Sequence, residues 1–259
     1  AEPQARTGRG LVTEPLFDLD PQGRLIPHLA TSWEQKDATT YVIHLREGVK
    51  FTDGTPFNAE VVKFNVERMR DPATNNVWIN EIAQLESVEI VDDYTIQLTS
   101  KAPFAPFLIP FYDVNGMQLS PDAVARWGAD IGLHPVGTGP FMLVEYVRDQ
   151  HVVLERNPDY WQPDLPYLDR IEFRIIPTDS TRATELRAGG AHLVEYLPFQ
   201  DIERLQSMQD VVVSQVPGFR VEWIQFQTQR EPTNRKEFRQ AWNWLIDREA
   251  IHNVVYYGT

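Results

Sequence analysis

A mixed α/β fold with two subregions is what this sequence predicts, and three observations carry the prediction. In the first half, apolar alternation is broken by tight polar turns, which is the pattern of hairpins. Through the second half, strand-like and helix-like stretches interleave. Between them stands Pro135-Val136-Gly137-Thr138-Gly139-Pro140-Phe141, with two prolines and two glycines inside six residues. Proline fixes φ and glycine reaches conformations that other residues avoid, so this stretch prescribes an unusual backbone path. A plain surface turn satisfies the same composition. The reading adopted is that Pro135, Gly137, Thr138, Gly139 and Pro140 form a structural junction.

The elements follow in order. A short strand is predicted over Leu11–Leu16, with a turn at Asp20-Pro21-Gln22-Gly23. Tyr41, Ile43 and Leu45 alternate with Val42, His44 and Arg46 as a half-buried strand, His44 pointing to solvent. The turn Asp53-Gly54-Thr55-Pro56 leads into a helix capped by Asn58, with Glu60 at its positive end and Phe57 and Val62 as a hydrophobic staple. Val62, Val66 and Met69 make its buried stripe. Val88 and Ile90, then Ile96 and Leu98, alternate around Asp92-Asp93 as a second hairpin.

From Ala102 to Pro121 the sequence is dense in proline and aromatic residues and has neither period. It reads equally as a packed connection and as the wall of a binding groove. Ser120 and Pro121 open a short helix that Gly128 stops. Strands Phe141–Val147 and His151–Arg156 follow, then one carrying Ile171, Phe173 and Ile175. A helix capped near Asp179 or Ser180 stops at Gly189-Gly190. Leu193–Tyr196 and Val211–Val216 read as strands, Asp201–Gln206 as a helix, and Val221–Gln227 as a strand before a helix from Lys236 to Ile246. A last helix begins near Glu249, and the apolar ending Val254–Tyr257 reads as a chain cut short.

Composition narrows the function classes. The 259 residues are 42% hydrophobic and 24% charged, which describes a globular chain of one large or two ordinary domains. No apolar run approaches the roughly 20 residues of a membrane helix. The absence of cysteine excludes disulfides, thiolate metal sites and cysteine nucleophiles. A formal charge of −13 argues against a nucleic-acid partner.

No active site assembles by spacing. There is no Gly-x-Ser-x-Gly elbow, and the six histidines form no His-Glu-x-x-His zinc helix. Gly137-Thr138-Gly139 precedes a strand and lacks the Gly-Lys-Ser/Thr ending of a phosphate loop. Carboxylates such as Glu185 and Asp201 sit on helices where a solvated face is the default. The reading is of a binding protein with no catalytic residues, no cofactor and no metal.

Several stretches in register carry a resemblance. They are Leu25-Ile-Pro-His-Leu-Ala-Thr-Ser-Trp-Glu, the run from Tyr41 to Val62, His134-Pro-Val-Gly-Thr-Gly-Pro-Phe, Leu154-Glu-Arg-Asn-Pro-Asp-Tyr-Trp, Pro166-Tyr-Leu-Asp-Arg-Ile and Leu245-Ile-Asp-Arg-Glu-Ala-Ile. Their order and spacing resemble the family 5 extracellular solute-binding proteins, the peptide/nickel class serving ABC importers. The resemblance implies a periplasmic-binding-protein type II-like fold, two lobes around a cleft, with an extra domain inserted in the first lobe. On that map residues 1–25 and 135–234 are the first lobe, 26–134 the inserted domain, and 235–259 the start of a truncated second lobe. The chain would then be the N-terminal half to two-thirds of a member, with most ligand-terminus contacts outside it. The Pro/Gly junction becomes the return from the inserted domain, a rigid piece of cleft wall and not the moving hinge.

The same resemblance implies capture of a peptide or similar small solute, delivery to a membrane ABC permease, a monomeric state, and a periplasmic or extracellular place, free or lipid-anchored. Tyr112, Asp113, Asn115 and Met117 from the aromatic segment, with Trp223, Gln225 and Gln227 opposite, are the ligand-binding candidates. Tyr112 and Trp223 would stack, and Asp113 would take a ligand amine; ordinary packing is the plain alternative. Where family members usually read Phe-Asn, this chain has Phe226-Gln227. Two rivals stand beside transport: a ligand-sensing domain of a regulator on the same fold, and a secreted hydrolase with an unrecognised site.

Overall fold

Hairpin patterning up to Arg174 becomes three antiparallel sheets. A computed structural model describes residues 10–215 and 223–257. The chain divides into two units, Ala1–Ile175 and Ile176–Thr259.

The first unit holds all nine strands found among the described residues. Strands β1 (Phe17–Leu19) and β2 (Leu25–Pro27) form a two-stranded ribbon around the turn at Asp20–Gly23. Strands β3 (Ala30–Gln35), β4 (Thr40–Leu45), β5 (Leu85–Asp92) and β6 (Thr95–Ser100) make a sheet in the order β3-β4-β6-β5. Strands β7 (Phe141–Val147), β8 (His151–Arg156) and β9 (Arg170–Arg174) make the third, in sequence order.

Helix α1 (Ala59–Arg70) starts as its sequence prescribes: the Asn58 side chain accepts from Val61 N at 3.1 Å. Its buried side contains Val62, Val66 and Met69 and joins Ile43, Ile96, Leu98 and Phe57 in the main core. Helix α2 (Pro121–Trp127) is capped by Ser120, and Gly128, at φ 51°, stops it. Behind the third sheet a smaller core of Val12, Phe141 and Leu154 forms.

Three local expectations need correction in this unit. The first strand lies at Phe17–Leu19 and not over Leu11–Leu16. Pro15 has no N–H to give a ladder, and the carbonyls of Leu11 and Val12 accept instead from Phe141 N at 2.8 Å and Gly139 N at 3.0 Å. Val42 is buried although its alternation put it outward, because β4 is an inner strand of its sheet. Ile90, on the edge strand β5, is exposed.

The turn before α1 is fastened to the cap of α2. Asp53 accepts from Ser120 Oγ at 2.5 Å and from Thr55 N at 3.0 Å. Partial burial raises the Asp53 pKa, but the Ser120 and Thr55 hydrogen bonds outweigh burial and hold it below its ordinary value. A carboxyl depressed in the fold adds stability that is present above its unfolded pKa and lost as pH falls through the folded one. Asp53→Asn is therefore expected to melt below wild type at pH 7. The gap should narrow as pH drops below about 4. Thermal melts from pH 7 to 3 measure this, and a gap constant across the range would refute it.

The second unit is helical where it is regular. Helices α3 (Asp179–Arg187), α4 (Ile202–Gln206), α5 (Lys236–Leu245) and α6 (Arg248–Val255) are present. Helix α3 begins after Thr178, with Asp179 held to Arg182 at 2.6 Å and no side-chain cap. Asp247 caps α6 by accepting from Ala250 N at 2.9 Å.

The strands expected at Leu193–Tyr196, Val211–Val216 and Val221–Gln227 are absent among the described residues; Val216, Val221 and Glu222 lie outside them. A strand is a pairing as well as a propensity, and no ladder partner occurs in the described part of this unit. Ala183, Ile202 and Leu205 are buried, but other apolar side chains remain open, with Val212 95% and Trp244 88% exposed. No helix among the described residues is long and apolar enough to cross a membrane.

Candidate functional site

A buried carboxylate gathers hydrogen bonds within the first unit. Glu14, 1% exposed, lies inside the apolar run Leu11–Leu16. Its Oε1 accepts from the Tyr160 hydroxyl at 2.7 Å and faces His28 Nε2 at 3.0 Å. Its Oε2 accepts from Thr138 Oγ1 at 2.8 Å and Trp161 Nε1 at 2.9 Å. Burial, and then the adjacent Glu14 charge, push the Tyr160 phenol far above its usual range, so it remains a donor. Indole can only donate. The Arg46 guanidinium lies over Trp161, 4.2 Å from the ring centroid, and donates twice to His28 O.

This network fastens the Pro/Gly junction. Besides the Thr138 bond, Gly137 O accepts from Thr52 N at 3.0 Å, and Gly139 O accepts from Asn157 Nδ2 at 2.9 Å. The glycines serve a purpose other than the expected one. Neither Gly137 nor Gly139 has positive φ. A Cβ at Gly137 would fall on the Val12 carbonyl and lie 2.7 Å from Thr13 Cα, and one at Gly139 would lie 2.5 Å from Leu11 O. Close backbone approach is what excludes a side chain here.

Beside the network opens a cavity of about 380 Å³ lined by Gly10, Pro15, Asp18, His28, Tyr112, Asp113 and Met117. Three of the sequence candidates, Tyr112, Asp113 and Met117, thus meet at one concavity. The aromatic segment proves to be both alternatives at once. Phe107, Leu108 and Phe111 are core, while Tyr112 packs on that core and also lines the cavity. Met117 Sδ is held by Thr13 Oγ1 at 3.6 Å.

Asn115 is buried behind this wall. Its amide nitrogen donates to Glu81 Oε2 at 3.1 Å and Trp78 O at 3.4 Å, and its oxygen accepts from Asn76 at 3.0 Å. Trp223, Gln225 and Gln227 belong to the second unit, on exposed non-strand backbone, Trp223 being 75% exposed. Gln227 Oε1 accepts from Gln229 N at 3.3 Å.

Sequence reasoning missed Gly10, Pro15, Asp18 and His28. One signal was available: a carboxylate and a proline inside an otherwise apolar run mark a segment that packs by hydrogen bonding and not by alternation. A second concavity, about 340 Å³, lies by the stacked pair Trp127 and His134 and is lined by Pro135, Val136 and Leu143 among others. Among the described residues no group of three metal-ligating side chains occurs.

A family model described as bacterial extracellular solute-binding proteins, family 5, middle, matches residues 24–259. The chain belongs to this family. Glutathione-binding protein GsiB of Shigella boydii is 34% identical over 244 residues, spanning 94% of this chain and 48% of GsiB. The Helicobacter pylori periplasmic binding protein DppA, solved with the peptide STSA, superposes with a TM-score of 0.91 at 30% identity, over 100% of this chain and 55% of DppA. A dipeptide-binding protein of Pseudoalteromonas, solved with Met-Leu, gives 0.85 at 25% identity, over 98% of this chain and 55% of its own. The chain therefore spans about half the length of these relatives, and its fold class is that of the type II periplasmic binding proteins. Those relatives carry the names of binding proteins.

Proposed function

We propose that this chain is part of the substrate-binding component of an ABC importer, which captures a peptide or similar small solute between two lobes and passes it to a membrane permease. The observation that carries this reading is a polar and aromatic cavity on a hydrogen-bonded frame, in a member of a solute-binding family. GsiB and DppA bring glutathione and a peptide as precedents for the solute. No chemistry is needed. Ligand shifts the population toward a closed form by binding it more tightly than the open one.

The ligand-facing residues proposed from the first unit are Tyr112, Asp113 and Met117, with Asn115 bracing them from behind. Trp223, Gln225 and Gln227 are the candidates from the second unit. The lobe map remains 1–25 with 135–234, an inserted 26–134, and 235–259 opening the second lobe. Support for its first boundary is the hydrogen bonding of residues 137–141 back to residues 11–14. The protein would act as a monomer in the periplasm or outside the cell, anchored by lipid or free, without nucleic acid, cofactor or catalysis.

The test is thermal denaturation of the intact protein against dipeptides, oligopeptides, glutathione, metal chelates and sugars. A ligand at a hundredfold its Kd stabilises by about 2.7 kcal/mol. At least one class should raise Tm by several degrees, and Tyr112→Ala should abolish most of that rise. If every class leaves Tm unchanged, the transport reading is wrong.

A further inference from the structure

Resting on the transport reading, we infer that Asn115 is a positioning residue for the solute: with Asn65 and Asn76 it holds the cavity wall in its binding shape before solute arrives. The wall is the segment 112–119, which brings Tyr112, Asp113 and Met117 to the cavity. It pairs with no sheet, and its regular structure amounts to the single turns Ile109–Tyr112 and Val114–Gly116. Its backbone groups therefore need partners from side chains. Asn65 of α1, 1% exposed, serves as one: its Nδ2 donates to Leu119 O at 2.9 Å and its Oδ1 accepts from Leu119 N at 3.2 Å. Inside the wall Gly116 N donates to Asp113 O at 2.8 Å, and a Cβ at Gly116 would fall on the Phe111 carbonyl. The turn is closed tightly, with no room for a side chain at residue 116.

Asn115 fastens this turn to other stretches of chain. It is as buried as Asn65, and its Nδ2 donates to Glu81 Oε2 at 3.1 Å and to Trp78 O at 3.4 Å. Both partners are acceptors, which fixes the way the amide is turned. Its Oδ1 accepts from Asn76 Nδ2, which also donates to Met69 O at 2.9 Å in the last turn of α1. Asn76 Oδ1 in turn accepts from Trp78 N at 3.0 Å. A chain of amides thus runs from α1 to residue 115, which stands between the lining residues Asp113 and Met117. From the other direction, Gln118 N donates to Glu14 O at 3.0 Å. A solute that meets a standing wall bears no ordering cost. Its apparent affinity falls in proportion when only a fraction of the molecules keep the wall in place. Glu81, exposed and outside the cavity lining, enters solute binding through Asn115.

Hydrogen exchange and calorimetry of the intact protein test this. In solute-free wild type the Gly116 and Gln118 amides should be protected, and Asn115→Ala should cut that protection about tenfold. Glutathione, titrated as the probe, should bind Asn115→Ala about tenfold more weakly than wild type. Ile96→Val, a core truncation in β6, is the control for general destabilisation: its Tm should fall and its glutathione affinity stay. Asn115→Asp supplies a signature that packing alone would not. Its new carboxyl faces Glu81 and Trp78 O, two acceptors. Affinity relative to wild type should therefore be low at pH 7.5 and recover at pH 5, where a proton restores a donor. Glu81→Ala, at an exposed position, should cut both readouts severalfold, and it carries the test if Asn115→Ala fails to fold. An unprotected Gly116 amide in solute-free wild type overturns the inference and leaves the transport reading standing. Unaltered protection or unaltered glutathione affinity in both Asn115→Ala and Glu81→Ala overturns it too. If wild type takes no glutathione, protection in the variants decides the inference, and transport is judged on the wider ligand panel alone.

Discussion

Gly137→Ala is expected to lower the stability of the protein by about 3–5 kcal/mol, a Tm decrease of roughly 10 °C. The new Cβ would land on the Val12 carbonyl and press on Thr13 Cα at 2.7 Å. Both neighbours are backbone, so no side chain can rotate away, and residues 11–13 must separate from residues 137–141. That separation strains the bonds from Gly139 N to Val12 O, Phe141 N to Leu11 O and Thr52 N to Gly137 O. Each such bond contributes about 1 kcal/mol, and overpacking adds about 1–3 kcal/mol more. Gly132→Ala is the control, since nothing lies within 4 Å of a Cβ there and its φ is not in the left-handed region. Thermal or urea denaturation of the two variants gives the comparison. Equal effects at both positions would show that close approach is not what the glycine provides.

How much of this was legible depends on whether the cause was local. The Asn58 cap, the turn at Asp20–Gly23, the stop at Gly128 and the hairpin of β5 and β6 are decided within a few residues, and each is where the sequence puts it. The Pro/Gly stretch was legible as special, but its reason was not. Nothing near Gly137 in sequence reveals that Val12 passes against it. The cavity was half legible for the same cause. Tyr112, Asp113 and Met117 announced themselves by composition, whereas His28 and Asp18 reach the cavity through a fold that brings residues 10–28 beside residues 112–117. In the second unit, alternation at Leu193–Tyr196 and at residues 223–227 gave a strand signal without a ladder partner among the described residues.

Glu14→Ala should be at least as damaging, by about 4 kcal/mol. Truncation removes the shared acceptor of His28, Thr138, Tyr160 and Trp161, four donors from three separate stretches of chain. A buried donor left without a partner costs about 1–3 kcal/mol, and partial rescue by water entering the space limits the sum. Glu14→Gln separates charge from shape. An amide oxygen kept on the Trp161 and Thr138 side still serves the indole, which can only donate. Its NH₂ turns to Tyr160 and His28, whose hydroxyl oxygen and ring nitrogen can accept, so the loss should be smaller, about 1–2 kcal/mol. Thr138→Val removes one donor without stranding a charge, and combined with Glu14→Ala it should show a coupling of about 1 kcal/mol. Trp161 fluorescence reports the loss of its acceptor in the same samples. Glu14 also precedes Pro15 and fixes His28, two cavity-lining residues, so a Glu14→Gln protein that still folds should bind its solute more weakly. If Glu14→Ala melts within 1 kcal/mol of wild type, the carboxylate is not the fastening point, and the orientation of His28 needs another cause.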